Sequence, residues 1–351
     1  MLVLCLALLL SLPVRAETGE LWNTEAIESQ LPAGAEEYMA GESILRMNGE
    51  TLERILRKVE TRARELWAEE VRFCVLLLSV VLLCSMATAG GGRARESVIL
   101  AGIAAVSAAA VTDVNSFMEL SAASLEELSG YADILLPVLA TAGSVSGQVS
   151  AMAGKCAATA VFMNTLILLS RELISPLICG YAALSIANAA VGNNALKTAA
   201  KLTHSGCTLL LGALATAFTL WLSAISLIAG AGGEAAVRIT KAVLTNALPV
   251  VGKVLSDASG ALSAAASAVR GSAGVFGMGV VLCTCLTPCL RLGMRLLVFK
   301  FTAAVCQCLC SDRLSSLLDA LGECFALQLA LLGTAALSLF IAVYSLIKVV
   351  L

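Results

Sequence analysis

Thirteen cysteines and a single histidine are the side chains in this sequence with the widest reach for metal or redox chemistry. Cys283, Cys285 and Cys289 form one group, and Cys306, Cys308 and Cys310 a second. Structural zinc sites place paired cysteines at short fixed spacings within ordered loops. Here the groups sit inside apolar runs, where alternate residues of a helix point in different directions. A thiol in such surroundings behaves as a small hydrophobe, so neither group reads as a metal ligand set, and nothing in their spacing supports a disulfide framework. His204 precedes the uninterrupted apolar run 206–231. A proton relay needs neighbouring acids or bases, and the sequence around His204 shows no such cluster, so it reads as an interfacial residue. No glycine-rich phosphate loop, GxSxG elbow, HExxH helix or basic nucleic-acid patch occurs. The expectation is a chain with no catalytic residues, no metal and no cofactor.

The polar residues that stand out lie between long apolar segments, in the stretch 234–274. It carries Arg238, Lys241, Lys253, Asp257 and Arg270, and Pro249 interrupts it. Proline cannot donate a backbone hydrogen bond and disturbs a continuous helix. Gly252 adds local freedom, and Lys253 and Asp257 are one helical turn apart and can neutralise one another. Beyond Ser256 and Ala258, the positions Gly260, Ala264, Ser267 and Gly271 form a small-residue face of the kind that lets membrane helices approach closely. The segment reads as two helical pieces meeting at 248–252. They form either an amphipathic pair lying along a membrane or an element that dips into it.

Composition makes the membrane necessary. Of 351 residues 59% are hydrophobic and 14% charged, against about a quarter charged in soluble domains, and the mean hydropathy is +0.90. The net charge of −2 hides a segregation: residues 17–70 hold 13 acids and 6 bases, whereas 16 bases and 12 acids follow from Val71 onward. The acidic part is too short to bury much core alone.

The elements follow from hydropathy and charge. Residues 1–16 resemble a signal peptide, with an apolar run, Pro13, and small-residue punctuation at Ala16; an uncleaved anchor is the other reading. Residues 17–72 read as an acidic extracytoplasmic helical region, with a turn at Pro32–Gly34. In it Leu52, Leu56, Val59, Ala63 and Leu66 mark one helical stripe that continues toward the first span. A first transmembrane block is expected over 73–231. Its first span, 73–89, ends at a glycine run followed by Arg93 and Arg95, which places that turn in the cytoplasm. Residues 98–111 return, 112–133 read as an acidic external loop, and 134–153 form a further span. Lys155 then marks the inner side, and 157–191 reads as two short passes with Arg171 and Glu172 neutralising each other at a hairpin tip. Lys197 and Lys201 mark the inner side again. After the amphipathic or re-entrant segment 232–274, a second transmembrane block occupies 275–351. Arg291, Arg295 and Lys300 there are expected to snorkel to an interface. The fold class is all-α: a polytopic membrane helix bundle of about six to eight spans.

The segment NALPVVGKVLSDASG at 246–260, followed by GSAGVFGMGVVL, resembles the stage III sporulation protein AE family of endospore-forming bacteria. Pro249, Gly252, Lys253, Ser256, Asp257 and Ala258 carry the likeness, and the order of elements from about Phe73 agrees with it; the cysteine-rich final third is less typical. The resemblance implies a multi-pass protein of the mother-cell membrane around the forespore. It also implies a channel or secretion-like complex whose partners include an ATPase and ring-forming components. The alternative is a stand-alone secondary transporter, with Arg171, Glu172, Lys253 or Asp257 along its path. Such transporters tend to show broken helices in matching halves, and only one broken element is visible.

Overall fold

A computed structural model describes residues 32–39, 49–89, 94–144, 149–247, 251–309 and 312–348, with the backbone alone over 222–247 and 251–275. The described elements are helical: α1 (Ala33–Met39), α2 (Gly49–Ala89), α3 (Ala94–Ser144), α4 (Val149–Leu169), a π-helical turn (Ser170–Ile174), α5 (Ser175–Val191), α6 (Asn194–Ala247), α7 (Val251–Leu309) and α8 (Asp312–Lys348). No strand occurs among the described residues. Six helices are long and apolar enough to cross a membrane, α4, the π-turn and α5 counting as one of them.

α2 shows how the sequence builds these rods. Leu66 is buried, Val59 and Ala63 are half-buried, and Glu60, Arg64, Glu65 and Glu69 lie outward; Arg64 meets Glu60 at 2.6 Å and the half-buried Arg62 meets Glu65 at 3.0 Å. The same helix then continues without interruption into the apolar half, burying Leu77, Val81 and Cys84. At 41 residues it is about 60 Å long, so its charged half projects beyond any apolar layer that its second half fills.

Contacts fix the direction of each helix. Ser85 near the end of α2 donates to the Leu309 carbonyl at the end of α7. Arg313 at the start of α8 faces Glu96 at the start of α3 and lies against Gly192, just past α5. At the other end of the bundle Lys155 of α4 reaches Ser345 of α8. The helices therefore run alternately up and down. The C-terminal ends of α2, α5 and α7 are at one end, and those of α3 and α6 are at the other. Gly192 adopts φ 73°, and a side chain there would meet the Arg313 guanidinium at 3.1 Å; glycine suits both demands. α8 is the central rod, with 67% of its most apolar window buried, against 17% for α2 and α6.

The structure corrects the chain order in two places. Residues 112–133 are not a loop; they are the middle of α3, a single helix of 51 residues. Their acids are interleaved with Ala, Leu, Ser and Val, and no proline intervenes before Pro137, so the helix has no cause to stop. Residues 157–191 do not form a hairpin either. They run on through the π-turn as one pass, with right-handed helical dihedrals at both Leu169 and Ser175. Six membrane-capable helices result, within the expected range.

α1 packs against this bundle. Ala35 and Tyr38, one turn apart, are buried. The Tyr38 hydroxyl and Thr287 Oγ1 of α7 share a hydrogen bond of 2.8 Å, and Lys58 of α2 donates to the Tyr38 carbonyl at 3.1 Å. A cation at the end of a short helix satisfies a carbonyl that has no intrahelical partner. The signal-like residues 1–16 lie outside the described residues.

Candidate functional site

Ionisable groups drawn into the interior of a membrane bundle are costly and therefore informative. The strongest such group joins three spans. Arg295 of α7 donates from Nη1 to Asp113 Oδ2 of α3 at 3.0 Å, and its Nε lies 3.2 Å from Glu70 Oε2 of α2. The contact to Glu70 is an ion pair by distance, not a well-directed hydrogen bond, since neither atom finds an aligned partner. The side chains of Arg295 and Glu70 are 13% and 8% exposed, which puts the pair in the interior, where attraction is strong and desolvation expensive.

Aromatic rings enclose the guanidinium. Its carbon stands 4.0 Å from the centre of the Phe73 ring and 5.3 Å from that of Phe117. Phe73 leads to Phe299 at 5.8 Å, Phe299 stacks on Phe325 at 5.2 Å, and Phe325 meets Phe117 edge-on at 5.4 Å. Four helices thus each contribute one ring to a chain whose two ends, Phe73 and Phe117, lie against the charge. Cation–π attraction strengthens where water is excluded. At the residue after Asp113, Gln328 of α8 donates to the Val114 carbonyl at 3.3 Å, and its Oε1 has no hydrogen-bond partner among the described residues.

A second cluster is partly open. Lys300 of α7 binds Asp319 at 2.7 Å and also Glu323, both on α8. Glu323 in turn lies 3.3 Å from His204 Nε2 of α6, whose ring is 5.4 Å from that of Tyr181 on α5. His204 therefore has the partner cluster that its sequence neighbourhood did not show. Its acidic partner, Glu323, lies 119 positions further along the chain.

Other expected sites resolve differently. Arg295 does not snorkel, because two carboxylates and two rings hold it inside. Lys155 does not mark the side of Arg95 and Lys197. It lies at the opposite end, 1% exposed, donating to Ser345 Oγ at 2.8 Å and to the Ser345 carbonyl at 3.3 Å. Arg171 pairs with Glu126 of α3 and not with its neighbour Glu172. Cys283, Cys285, Cys289 and Cys306 are buried and Cys308 is exposed, and among the described residues no three His, Cys, Asp or Glu side chains are placed to share a metal ion. Of the motif residues, Pro249 lies outside the described residues. Gly252, Lys253, Ser256, Asp257 and Ala258 belong to the opening turns of α7, where the backbone alone is described.

What sequence reasoning missed is the triad of Glu70, Asp113 and Arg295. One signal was present: Asp113 stands in an alanine-rich run with no turn residue, a position where a carboxylate needs a partner. The triad holds three spans in register and admits no obvious reacting atom.

No solved structure matches this chain. The stage III sporulation protein AE of Bacillus subtilis (strain 168) is 25% identical over 238 residues, which is 65% of this chain and 58% of that relative. The family model described as stage III sporulation protein AE matches residues 37–349, from within α1 to the end of α8. With six membrane-capable helices under that match, the chain is a membrane protein that belongs to the stage III sporulation protein AE family.

Proposed function

We propose that this protein is a multi-pass subunit of a channel or secretion-like complex in the mother-cell membrane around the forespore, supporting late forespore development. The observation that carries the reading is the family match over nearly the whole helical bundle. The physical character of the bundle supports it. The interior charges of the triad, Arg295, Asp113 and Glu70, are closed on one another in a way that suits a scaffold. The partners in this reading are the lipid bilayer, an ATPase and ring-forming components of the same apparatus, with no nucleic acid.

The stand-alone transporter reading loses one of its supports, because Arg171 is engaged by Glu126. Deleting the gene in its endospore-forming host tests the proposal. The expected result is arrest of spore development after engulfment, with the other membrane components recovered on affinity purification of the tagged chain. Normal sporulation with no co-purifying partner overturns it, and solute movement by the purified chain alone in liposomes favours the transporter.

A further inference from the structure

Two outward helix faces carry charges of opposite sign. On α2 the positions Arg54, Arg57, Thr61, Arg64, Ala68 and Arg72 follow one another every three or four residues, all exposed, with no acid among them. On α3 the exposed positions Glu119, Ala123, Glu126 and Asp133 share one face, and residues 112–133 contain no base. The three acids are seven residues apart, two helical turns, so they form a single line. Thr61 and Ala68 on one face and Ala123 on the other separate the charges, and small side chains there let two helices come close.

The heights of these charges match. Glu70 of α2 and Asp113 of α3 hold the same guanidinium, which sets the two antiparallel helices level at that point. Arg64 lies six residues from Glu70 and Glu119 six from Asp113, toward the same end of the bundle, about 9 Å along the axis. Arg57 and Glu126 each lie thirteen residues away, about 20 Å. Within one chain these charges do not join α2 to α3. Glu126 turns to Arg171 in the π-helical turn, and Arg64 to Glu60 on its own helix, with side chains 79% and 63% exposed. An exposed pair of that kind is a weak tie. Arg57, Glu119 and Asp133 have no ion-pair partner among the described residues.

Charges turned outward on the helices of a membrane protein call for water or for a partner of opposite charge. We propose that the partner is a second copy of this chain: the arginine face of α2 on one copy seats against the acidic face of α3 on the next, with Arg64–Glu119 and Arg57–Glu126 as its rungs. Neighbours that share one orientation in a membrane keep each residue at one depth, so matched heights are what such a contact requires. Two different faces meet, so the contact is head to tail and repeats from copy to copy.

The test uses the full-length chain. A benzophenone amino acid replaces Thr61, heavy-isotope and light chains are mixed in lipid vesicles, and cross-linked peptides are read by mass spectrometry. The expected products join position 61 of one copy to residues 112–133 of another in mixed heavy–light pairs. Sedimentation in mild detergent is expected to show species larger than a dimer. Arg64→Glu and Glu119→Arg should each weaken association about tenfold or more, since each sets like charges opposite one another. The chain carrying both substitutions should recover to within about threefold of the original, because every contact then regains opposite charges. A monomer at every concentration overturns the proposal, and so does a dimer that grows no further. Cross-links that avoid 112–133, or a double variant no better than the single ones, overturn it too. The same probe in the host membrane capturing only another protein overturns it in favour of that partner. The cross-link needs no change of charge, so the proposal stays falsifiable if a reversed variant does not fold.

Discussion

Arg295 and Asp113, 182 positions apart in the chain, meet in a hydrogen bond of 3.0 Å between α7 and α3. Glu70 closes on the same guanidinium from α2 at 3.2 Å. Removing one member of a buried pair leaves a charge with no compensation, which costs about 3–5 kcal/mol. Arg295→Met is therefore expected to lower stability by about that amount in equilibrium unfolding with mixed micelles. Arg295→Lys should fall between, because an ammonium is a point charge that cannot span two carboxylates in a fixed fork. A loss below about 1 kcal/mol for the methionine variant, the range of exposed pairs, would place the triad at a wet surface.

Close packing makes two glycines behave in opposite ways. A side chain at Gly277 of α7 would meet Leu135 Cδ2 at 2.6 Å and Cδ1 at 2.8 Å, whereas one at Gly130 of α3 meets nothing within 4 Å. Overpacking a filled site costs about 1–3 kcal/mol. Replacing a helical glycine where there is room returns up to about 1 kcal/mol. Gly277→Ala should thus lower the melting temperature and Gly130→Ala leave it level or raise it. Equal shifts of the same sign would contradict the α3–α7 packing.

Tyr38 gives a smaller, separate test. Its hydroxyl shares a hydrogen bond of 2.8 Å with Thr287 Oγ1, and the residue is 1% exposed. Tyr38→Phe keeps the packing and removes one hydrogen bond, for an expected loss of about 1 kcal/mol. Tyr38→Ala also empties the site under α1 and should cost about 3 kcal/mol or more. Comparable losses from the two would mean that the ring contributes nothing, against its burial.

The all-helical class and a range of six to eight spans were legible because apolar length is a strong local signal. The stripe of Val59, Ala63 and Leu66 was legible for the same reason, since periodicity on one helix needs no knowledge of its neighbours. The acidic residues of 112–133 misled because charge suggests water unless a partner is known, and the partners of Asp113 and Glu126 are Arg295 and Arg171, far off in sequence. Arg171 and Glu172 misled through adjacency: neighbours on a helix point apart, so an i,i+1 pair is not a contact. The tie between His204 and Glu323 spans more than a hundred residues, and no local pattern announces it. Apart from the isolated carboxylate of Asp113, the ion pairs left no local trace, because each is a relation between helices, whereas the helices themselves are relations within short windows.

The direction of the helices makes the orientation of the chain testable. Lys197 opens α6 at the end of the bundle shared with Arg313 and Glu96, and the membrane-capable stretch Asn194–Trp221 follows it. Lys253 stands beyond the far end of α6, in the first turn of α7. A single crossing should therefore separate them. With a keto amino acid at 197 or 253 in sealed, uniformly oriented vesicles, a membrane-impermeant hydrazide is expected to reach 197 from one side only. It should reach 253 from the other side, or not at all if the segment is immersed. The positive-inside rule assigns 197, beside Lys201 and near Arg95, to the cytoplasmic side. Labelling of both positions from the same side would require a second crossing between 197 and 253, and would overturn the single continuous pass of α6.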